Sequence, residues 1–409
     1  LGDVYKRQII EVSYMVKRQQ YLDKLIKLRD KQVIKVVTGF RRCGKSTLLM
    51  QFKDFLKECG VEDGQIISIN FERLEFENLL DHHALYKYIT ERLQPGKMSY
   101  IFLDEVQMVP EYQKAVDSLF VRENVDVYIT GSNAYMLSGE LATLLSGRYV
   151  EIQMLPLSFA EYRELVGGDK RDAWKQYFVN GGLPYTAYIE DEEIRSDYLS
   201  GIYNTVLLKD IVERKKIQDV SLLKSVVRFL FDNIGNTVSS KKISDSLVSF
   251  GRKTTSATIE NYISALTESF VLYKAGRYDV KGKQHLKSLE KYYVVDTGLR
   301  TLLLGNKNSD IGHILENIVY LELVRRGYFV SIGKVGELEI DFIAEKSGAK
   351  VYYQVSASVL DPATFEREIT PLRRVQDNYP KFIITMDDIS SDNDGIQQVN
   401  VVDFLLGNA

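Results

Sequence analysis

Short apolar runs alternate with stretches of helical spacing along the first 155 or so residues of the chain. The runs at 35–38, 66–71, 100–105, 125–130 and 150–154 are strand-length and rich in Val, Ile, Leu, Phe and Tyr. Between them, apolar residues recur at helical spacing at 21–28 (Leu22, Leu25, Ile26), 48–57, 84–93 and 112–121. Strand and helix in alternation predict an α/β domain on a parallel sheet, with ligands at the strand C-termini.

Beyond Trp174 the pattern turns helical, interrupted at Gly181-Gly182-Leu183-Pro184-Tyr185. The segment 198–215 reads as a helix with charges on one solvated face. Three further helices at 221–231, 239–247 and 256–266 precede a strand at 270–275 and a basic turn through Arg277, Lys281 and Lys283, which spells a winged helix. The last part predicts a long amphipathic helix at 313–323, strands at 329–332, 337–344 and 351–356, and a helix at 364–372. A strand near 382–385 and an apolar stretch at 401–406, strand or helix, close it. The expected division is 15–165, 166–215, 216–304 and 305–409, with 1–14 set aside as a leader unconnected to the pattern that follows.

Composition narrows this little. At 409 residues the chain is too long for one ordinary core. Its 53 basic and 56 acidic residues leave a net charge of −3, which excludes a whole-chain basic field for nucleic acid and leaves only local patches. Two cysteines, Cys43 and Cys59, exclude a disulfide framework and suit a reducing interior. Without a run of about 18 apolar residues or a signal-type segment, the expectation is a cytoplasmic protein with no membrane partner.

The candidate chemistry begins at Gly39-Phe40-Arg41-Arg42-Cys43-Gly44-Lys45-Ser46-Thr47, a full G-x-x-x-x-G-K-[ST] match between a strand and a helix. Gly39 and Gly44 let the backbone curl its N–H groups around a polyphosphate at a helix N-terminus. Lys45 would reach the β- and γ-phosphates, and Ser46 would hold Mg²⁺. A chance glycine-rich turn is the bland alternative; Cys43 reads as a small filler rather than a reactive thiol. The run 100–105 ends in Asp104 and Glu105, a Walker B pattern: Asp104 for the Mg²⁺ shell, Glu105 to polarise the attacking water. Ser132 and Asn133 follow the next strand, either sensing the γ-phosphate or capping a helix. Arg148 opens the last strand, either as an arginine finger or as a surface ion-pair residue.

These motifs, with Thr130-Gly131-Ser132-Asn133 and Ser146-Gly147-Arg148 ahead of Pro156-Leu157-Ser158-Phe159, resemble the prokaryotic AAA-type ATPases of the archaeal-ATPase-like group, often fused to a C-terminal domain of unknown function. The resemblance implies ATP as the nucleotide, Glu105 as catalytic, Ser132/Asn133 as sensor and Arg148 as candidate finger, in a homo-oligomer if it acts in trans. For the winged helix it leaves DNA, through Lys241, Lys242, Arg252 and Lys253, beside a protein partner, since Glu260 and Glu268 lie on the third helix. The C-terminal part resembles the restriction-endonuclease-like PD-(D/E)XK core. There Glu316 and Asp341 fit the acid positions, while Gln354 replaces a carboxylate and Ser356 the lysine, which implies a nuclease-like scaffold that does not cut. The leading expectation is a Mg²⁺-dependent ATPase acting on DNA or a DNA-associated partner. A nucleotide-gated switch with a protein partner stands second and an ATP-gated nuclease last.

Overall fold

A computed structural model describes residues 16–132, 147–282, 284–306 and 310–408. The chain divides into two units, one running to Met154 and joined by 268–270, the other made of the remainder from Leu155. The first is built on strands β1 (Ile34–Gly39), β2 (Ile66–Asn70), β3 (Ser99–Asp104), β4 (Val125–Gly131) and β5 (Tyr149–Met154). Their order is β2-β3-β4-β1-β5 and every pairing is parallel.

The sequence explains which strands are central. Every residue of β1 and β3 is buried, whereas β2 and β5, at the edges, alternate with exposed positions. Alternate side chains feed two cores. Val36, Ile101, Leu103 and Ile129 pack with the helices His82–Thr90 and Tyr112–Phe120. Val37, Tyr100, Phe102 and Tyr128 pack with the helices Gln19–Leu28 and Lys45–Glu58. Phe52, fully buried against Phe102 and Tyr128, contributes about 1.5–3 kcal/mol by burial alone. Because all five strands run the same way, Gly39, Asn70, Asp104 and Gly131 come to one end of the sheet.

The second unit carries a nine-stranded sheet in the order β13-β14-β12-β11-β10-β9-β7-β8-β6. Its members are β6 (Thr237–Val238), β7 (Leu272–Asp279), β8 (Gln284–Val294), β9 (Phe329–Val335), β10 (Leu338–Lys346), β11 (Ala349–Val355), β12 (Lys381–Thr385), β13 (Ser391–Asn393) and β14 (Ile396–Asn400). The expected boundary at 304/305 runs through this one sheet, because β7 of the hairpin pairs in parallel with β9 and so satisfies an edge that would otherwise stay open. The helices Val220–Asp232, Ser240–Ser249 and Ser256–Glu268 lie where expected; 401–406 is a helix. The segment expected as one helix over 198–215 is α-helical to Thr205 and widens to π-type turns over Val206–Glu213. The helix Ile311–Arg325 is not amphipathic: every residue from Ile314 to Leu323 is buried. Its Asn317 amide meets both backbone groups of Val294, at 2.7 and 2.9 Å, and so joins helix to sheet. No helix among the described residues is long and apolar enough to cross a membrane.

The break at 181–185 is fixed by Asp296, which is fully buried and caps the helix Thr297–Leu304 through Leu299 N–H. One of its oxygens also accepts from the N–H groups of Gly182 (2.7 Å) and Leu183 (3.1 Å). A Cβ at Gly181, whose φ is +78°, would sit 2.2 Å from that carboxylate. Burial pushes the Asp296 carboxyl up to about 6 despite these donors. Folded, it therefore binds its proton more tightly than an unfolded Asp near pH 4, and wild type loses stability relative to a non-titrating residue as pH rises from about 4 to 6. Denaturant titration of Asp296→Asn should give a cost of about 1–3 kcal/mol from the mispaired backbone donors, largest near pH 4 and shrinking towards pH 6. A cost that does not change with pH contradicts this assignment.

Candidate functional site

At the C-terminal end of β1 the chain turns through 40–44 and enters the helix Lys45–Glu58. Gly39, Arg42 and Gly44 have φ of +145°, +66° and +102°. A Cβ on Gly39 would fall 2.1 Å from the Met154 carbonyl oxygen, so only glycine fits where the loop leaves the sheet. Phe40 and Cys43 anchor the loop from below, both fully buried, and burial pushes the Cys43 thiol up, as befits a filler. Arg41 is paired with Glu72 at 2.9 Å, and Arg42 is exposed. Lys45 is buried; its ammonium donates to the Gly39 (3.2 Å) and Phe40 (3.4 Å) carbonyls and lies 3.6 Å from Glu105 Oε1. Ser46 and Thr47 follow in the first turn, where helix N–H groups have no partner within the helix.

Asp104 ends β3, and Glu105 follows in the left-handed region at φ +56°. Both are held by a residue whose motif the sequence shows but whose role it does not. Thr130, fully buried near the end of β4, donates its hydroxyl to Asp104 Oδ1 and accepts from Glu105 N–H at 2.9 Å. Asn70, ending β2, donates to Asp104 Oδ2 at 2.9 Å, and Gln107 donates to Glu105 Oε2. Ser132 is buried, with its hydroxyl at 3.5 Å from the Gln107 amide, so among the described residues it is linked to Glu105 through that side chain. Asn133 lies outside the described residues. A cavity of about 420 Å³ is lined by Ser46, Thr47, Lys53, Asn70, Arg73 and Asp104 among others. Its hydroxyl and carboxylate oxygens are the hard donors that suit Mg²⁺. Burial pulls the Lys53 ammonium below its ordinary value, against the pull of Asp104.

Two placements change the expected site. Arg18, ahead of the first helix, is buried and donates to the Cys43 carbonyl at 2.8 Å, while its own N–H meets Gln51 at 3.1 Å, bracing the loop from behind. Arg148, by contrast, is not brought to the phosphate loop. Its carbonyl accepts from Ile34 N–H at the start of β1, the opposite end of the parallel sheet, and its exposed guanidinium bonds Asp117 at 2.9 Å.

In the second unit the four nuclease-like positions fall unevenly. Glu316, on the helix Ile311–Arg325, and Asp341, on β10, meet at a lysine absent from the expected set. Lys291 of β8 is 2.9 Å from Glu316, 2.9 Å from Glu339 and 3.5 Å from Asp341. The expectation that this cluster lacks a lysine is therefore corrected: Ser356 turns its hydroxyl to the Ser358 carbonyl at 3.1 Å, and the cation arrives from a neighbouring hairpin. Gln354 accepts from Asp341 N–H at 3.3 Å and donates to Glu368 at 2.8 Å, which brings a further acid close. Burial and the charge of Glu316 push the Asp341 carboxyl up to about 7. Burial works the same way on Glu316, but Lys291, His313 and Tyr293 outweigh it and hold that carboxyl below its usual value.

With this geometry in view, known proteins sharpen the picture. Residues 31–163 match the AAA domain, and residues 171–310 match a domain of unknown function (DUF8612). An uncharacterized protein of Haemophilus influenzae is 41% identical over 399 residues, spanning 96% of this chain and 99% of its own. The chain belongs to this AAA-domain family. An uncharacterized protein of Methanocaldococcus jannaschii is similar at 27% identity over 425 residues, covering 98% of this chain and 92% of its own. Among solved structures, the Walker-type ATPase of Pyrococcus abyssi shares the fold with a TM-score of 0.52 at 15% identity, covering 71% of this chain and 96% of that one. The first unit thus has a P-loop α/β fold.

The geometry distinguishes Thr130 from the candidate sensor Ser132. Thr130→Val removes a buried hydroxyl shared by Asp104 and Glu105 and should cost about 1–3 kcal/mol in urea unfolding, while Ser132→Ala, whose contact with Gln107 is long, should cost under about 0.5 kcal/mol. Equal costs would contradict the placement of Thr130 as the residue that fixes the acids.

Proposed function

We propose that this AAA-domain protein binds ATP with Mg²⁺ and hydrolyses it to drive conformational change, acting on DNA or a DNA-associated partner. The observation that carries the reading is Thr130 holding Asp104 and Glu105 together beside Lys45, with Ser46 and Asp104 on one cavity. Gly39 to Thr47 would cradle the phosphates, Lys45 would turn from its backbone carbonyls to phosphate oxygens, and Ser46 and Asp104 would hold the metal. Mg²⁺, when bound, neutralises charge on the phosphates. Glu105, fixed by its backbone bond to Thr130, is the group placed to orient and deprotonate water.

The far placement and exposure of Arg148 support action on a neighbouring copy rather than on its own nucleotide. The DNA part rests on the second and third helices before the β7–β8 hairpin. Lys241 and Lys242 are exposed at the start of the second helix and Arg252 and Lys253 in the turn after it, and the third helix presents Ala257, Glu260, Asn261 and Ser264 to solvent. For the last part, the order helix, β9, β10, β11, helix, β12 with β11 and β12 parallel supports a restriction-endonuclease-like scaffold, and Gln354 and Ser356 support its not cutting. A second reading, a nucleotide-gated switch with a protein partner, is favoured by one observation: Glu105 is engaged by both Lys45 and Gln107, a resting arrangement that slow turnover would suit.

Steady-state phosphate release decides between them. Wild type should turn over with Mg²⁺, Glu105→Gln should be slower by roughly 10²–10⁴-fold while still binding ATP, and duplex DNA should stimulate wild type at low salt with a response that fades as salt rises. In the same assay Arg148→Ala should be inactive alone and regain activity when mixed with Glu105→Gln, whose finger is intact. Tight ATP binding without turnover, with or without DNA, would favour the switch; turnover untouched by Glu105→Gln would overturn the catalytic assignment.

A further inference from the structure

Three carboxylates converge on one buried ammonium in the second unit, and nothing in the nucleotide chemistry uses them. Glu339 and Asp341 are two apart on β10, so they share a face, next to a register irregularity between Ile340 and Ile343 that re-aims this stretch of strand. Glu316 faces them from the helix Ile311–Arg325. Glu316 and Asp341 are buried and the Glu339 side chain is 36% exposed, and gathering such carboxylates demands a cation among them. In this chain that cation is Lys291, itself only 3% exposed, with its ammonium at 2.9, 2.9 and 3.5 Å from the three acids.

We propose that the Lys291 ammonium is a built-in substitute for a divalent cation: Glu316, Glu339 and Asp341 form a cation site filled from within, which takes a metal only when Lys291 is removed. The match is chemical. An ammonium has three donors and no acceptor, and here each donor has a carboxylate. Its N···O separations are wider than the roughly 2.0–2.6 Å that Mg²⁺ or Ca²⁺ needs, so the acids are held apart at ammonium spacing. In keeping with that, no three His, Cys, Asp or Glu side chains among the described residues are grouped to hold a metal.

The surroundings keep the lysine in place. Tyr293, two residues along β8, donates to the same Glu316 oxygen at 2.7 Å, and Asn317 clamps Val294, so the strand bearing Lys291 is tied to the helix bearing Glu316. On the other side Asp341 accepts from Val355 N–H at 2.9 Å, which fixes it against β11. Charge is what Lys291 supplies, so a neutral residue of similar length leaves the acids gathered and uncompensated. The proposal rests on and deepens the non-cutting reading of this part of the chain, because a lysine in the metal's place adds to the missing carboxylate at Gln354 and the missing lysine at Ser356.

The test is Mn²⁺ binding to the full chain without nucleotide, followed by electron paramagnetic resonance. Wild type should show no Mn²⁺ binding that Asp341→Asn abolishes. Lys291→Met should gain one Mn²⁺ per chain at a concentration at least about tenfold below any seen for wild type, and the double variant with Asp341→Asn should lose it. A Lys291→Met chain that unfolds alone but refolds with Mn²⁺ supports the proposal equally. Folded Lys291→Met without Mn²⁺ binding overturns it, and so does Asp341-dependent Mn²⁺ binding by wild type, an arm that needs no variant lacking the lysine. Metal-dependent cleavage of duplex DNA by wild type, lost in Asp341→Asn, would overturn both the proposal and the non-cutting reading. Asp341-dependent Mn²⁺ binding by wild type without cleavage overturns the proposal alone.

Discussion

A carboxylate removed from water must be met by a cation or by hydrogen-bond donors, and the chemistry of both units follows from how each meets that demand. In the first unit the demand is met loosely. Asp104 is satisfied by two neutral donors, the Thr130 hydroxyl and the Asn70 amide, and Glu105 by Gln107 and a lysine at 3.6 Å. Both donors to Asp104 are neutral, so its charge stays open to a cation, and the lysine at 3.6 Å is only loosely held by Glu105. In the second unit it is met by a lysine nearly sealed from solvent and shared by three acids, an arrangement with no easy exchange.

The parallel sheet makes the loose arrangement possible. With β3 between β2 and β4, the residues ending the flanking strands reach Asp104 from both sides, and with β4 beside β1 the acids come next to Lys45. The strands buried on both faces leave little room for these ends to shift, so the spacing of lysine, threonine and acids is a property of the core rather than of the loops. The same polarity carries Arg148 to the far end of the sheet, away from the phosphate loop.

The legible parts of the chain were those whose chemistry is local. Gly39 to Thr47 and Asp104-Glu105 are read from spacing alone, because the loop and the strand end that use them are contiguous. Thr130 and Asn70 were not legible, since their role depends on the strand order β2-β3-β4-β1, which no local pattern encodes. Ser132, which local pattern does mark, lies two residues beyond Thr130 and contacts the Gln107 amide at 3.5 Å. Lys291 was hidden for the same reason: it lies 25 residues before Glu316 and 50 before Asp341, on a hairpin that pattern alone assigns to another domain. The helix Ile311–Arg325 reads as amphipathic because Glu316, Asn317 and Glu322 interrupt its apolar residues, yet each is buried with a partner.

The central claim is that Lys45 leaves its carbonyls and Glu105 to hold phosphate. Equilibrium binding of a fluorescent ATP analogue to wild type and to Lys45→Ala, each with and without Mg²⁺, tests it most directly. The account predicts Mg²⁺-enhanced binding by wild type that is weakened at least about tenfold in Lys45→Ala, the worth of one charge-assisted contact or more. Equal affinity of the two proteins for the analogue would contradict it.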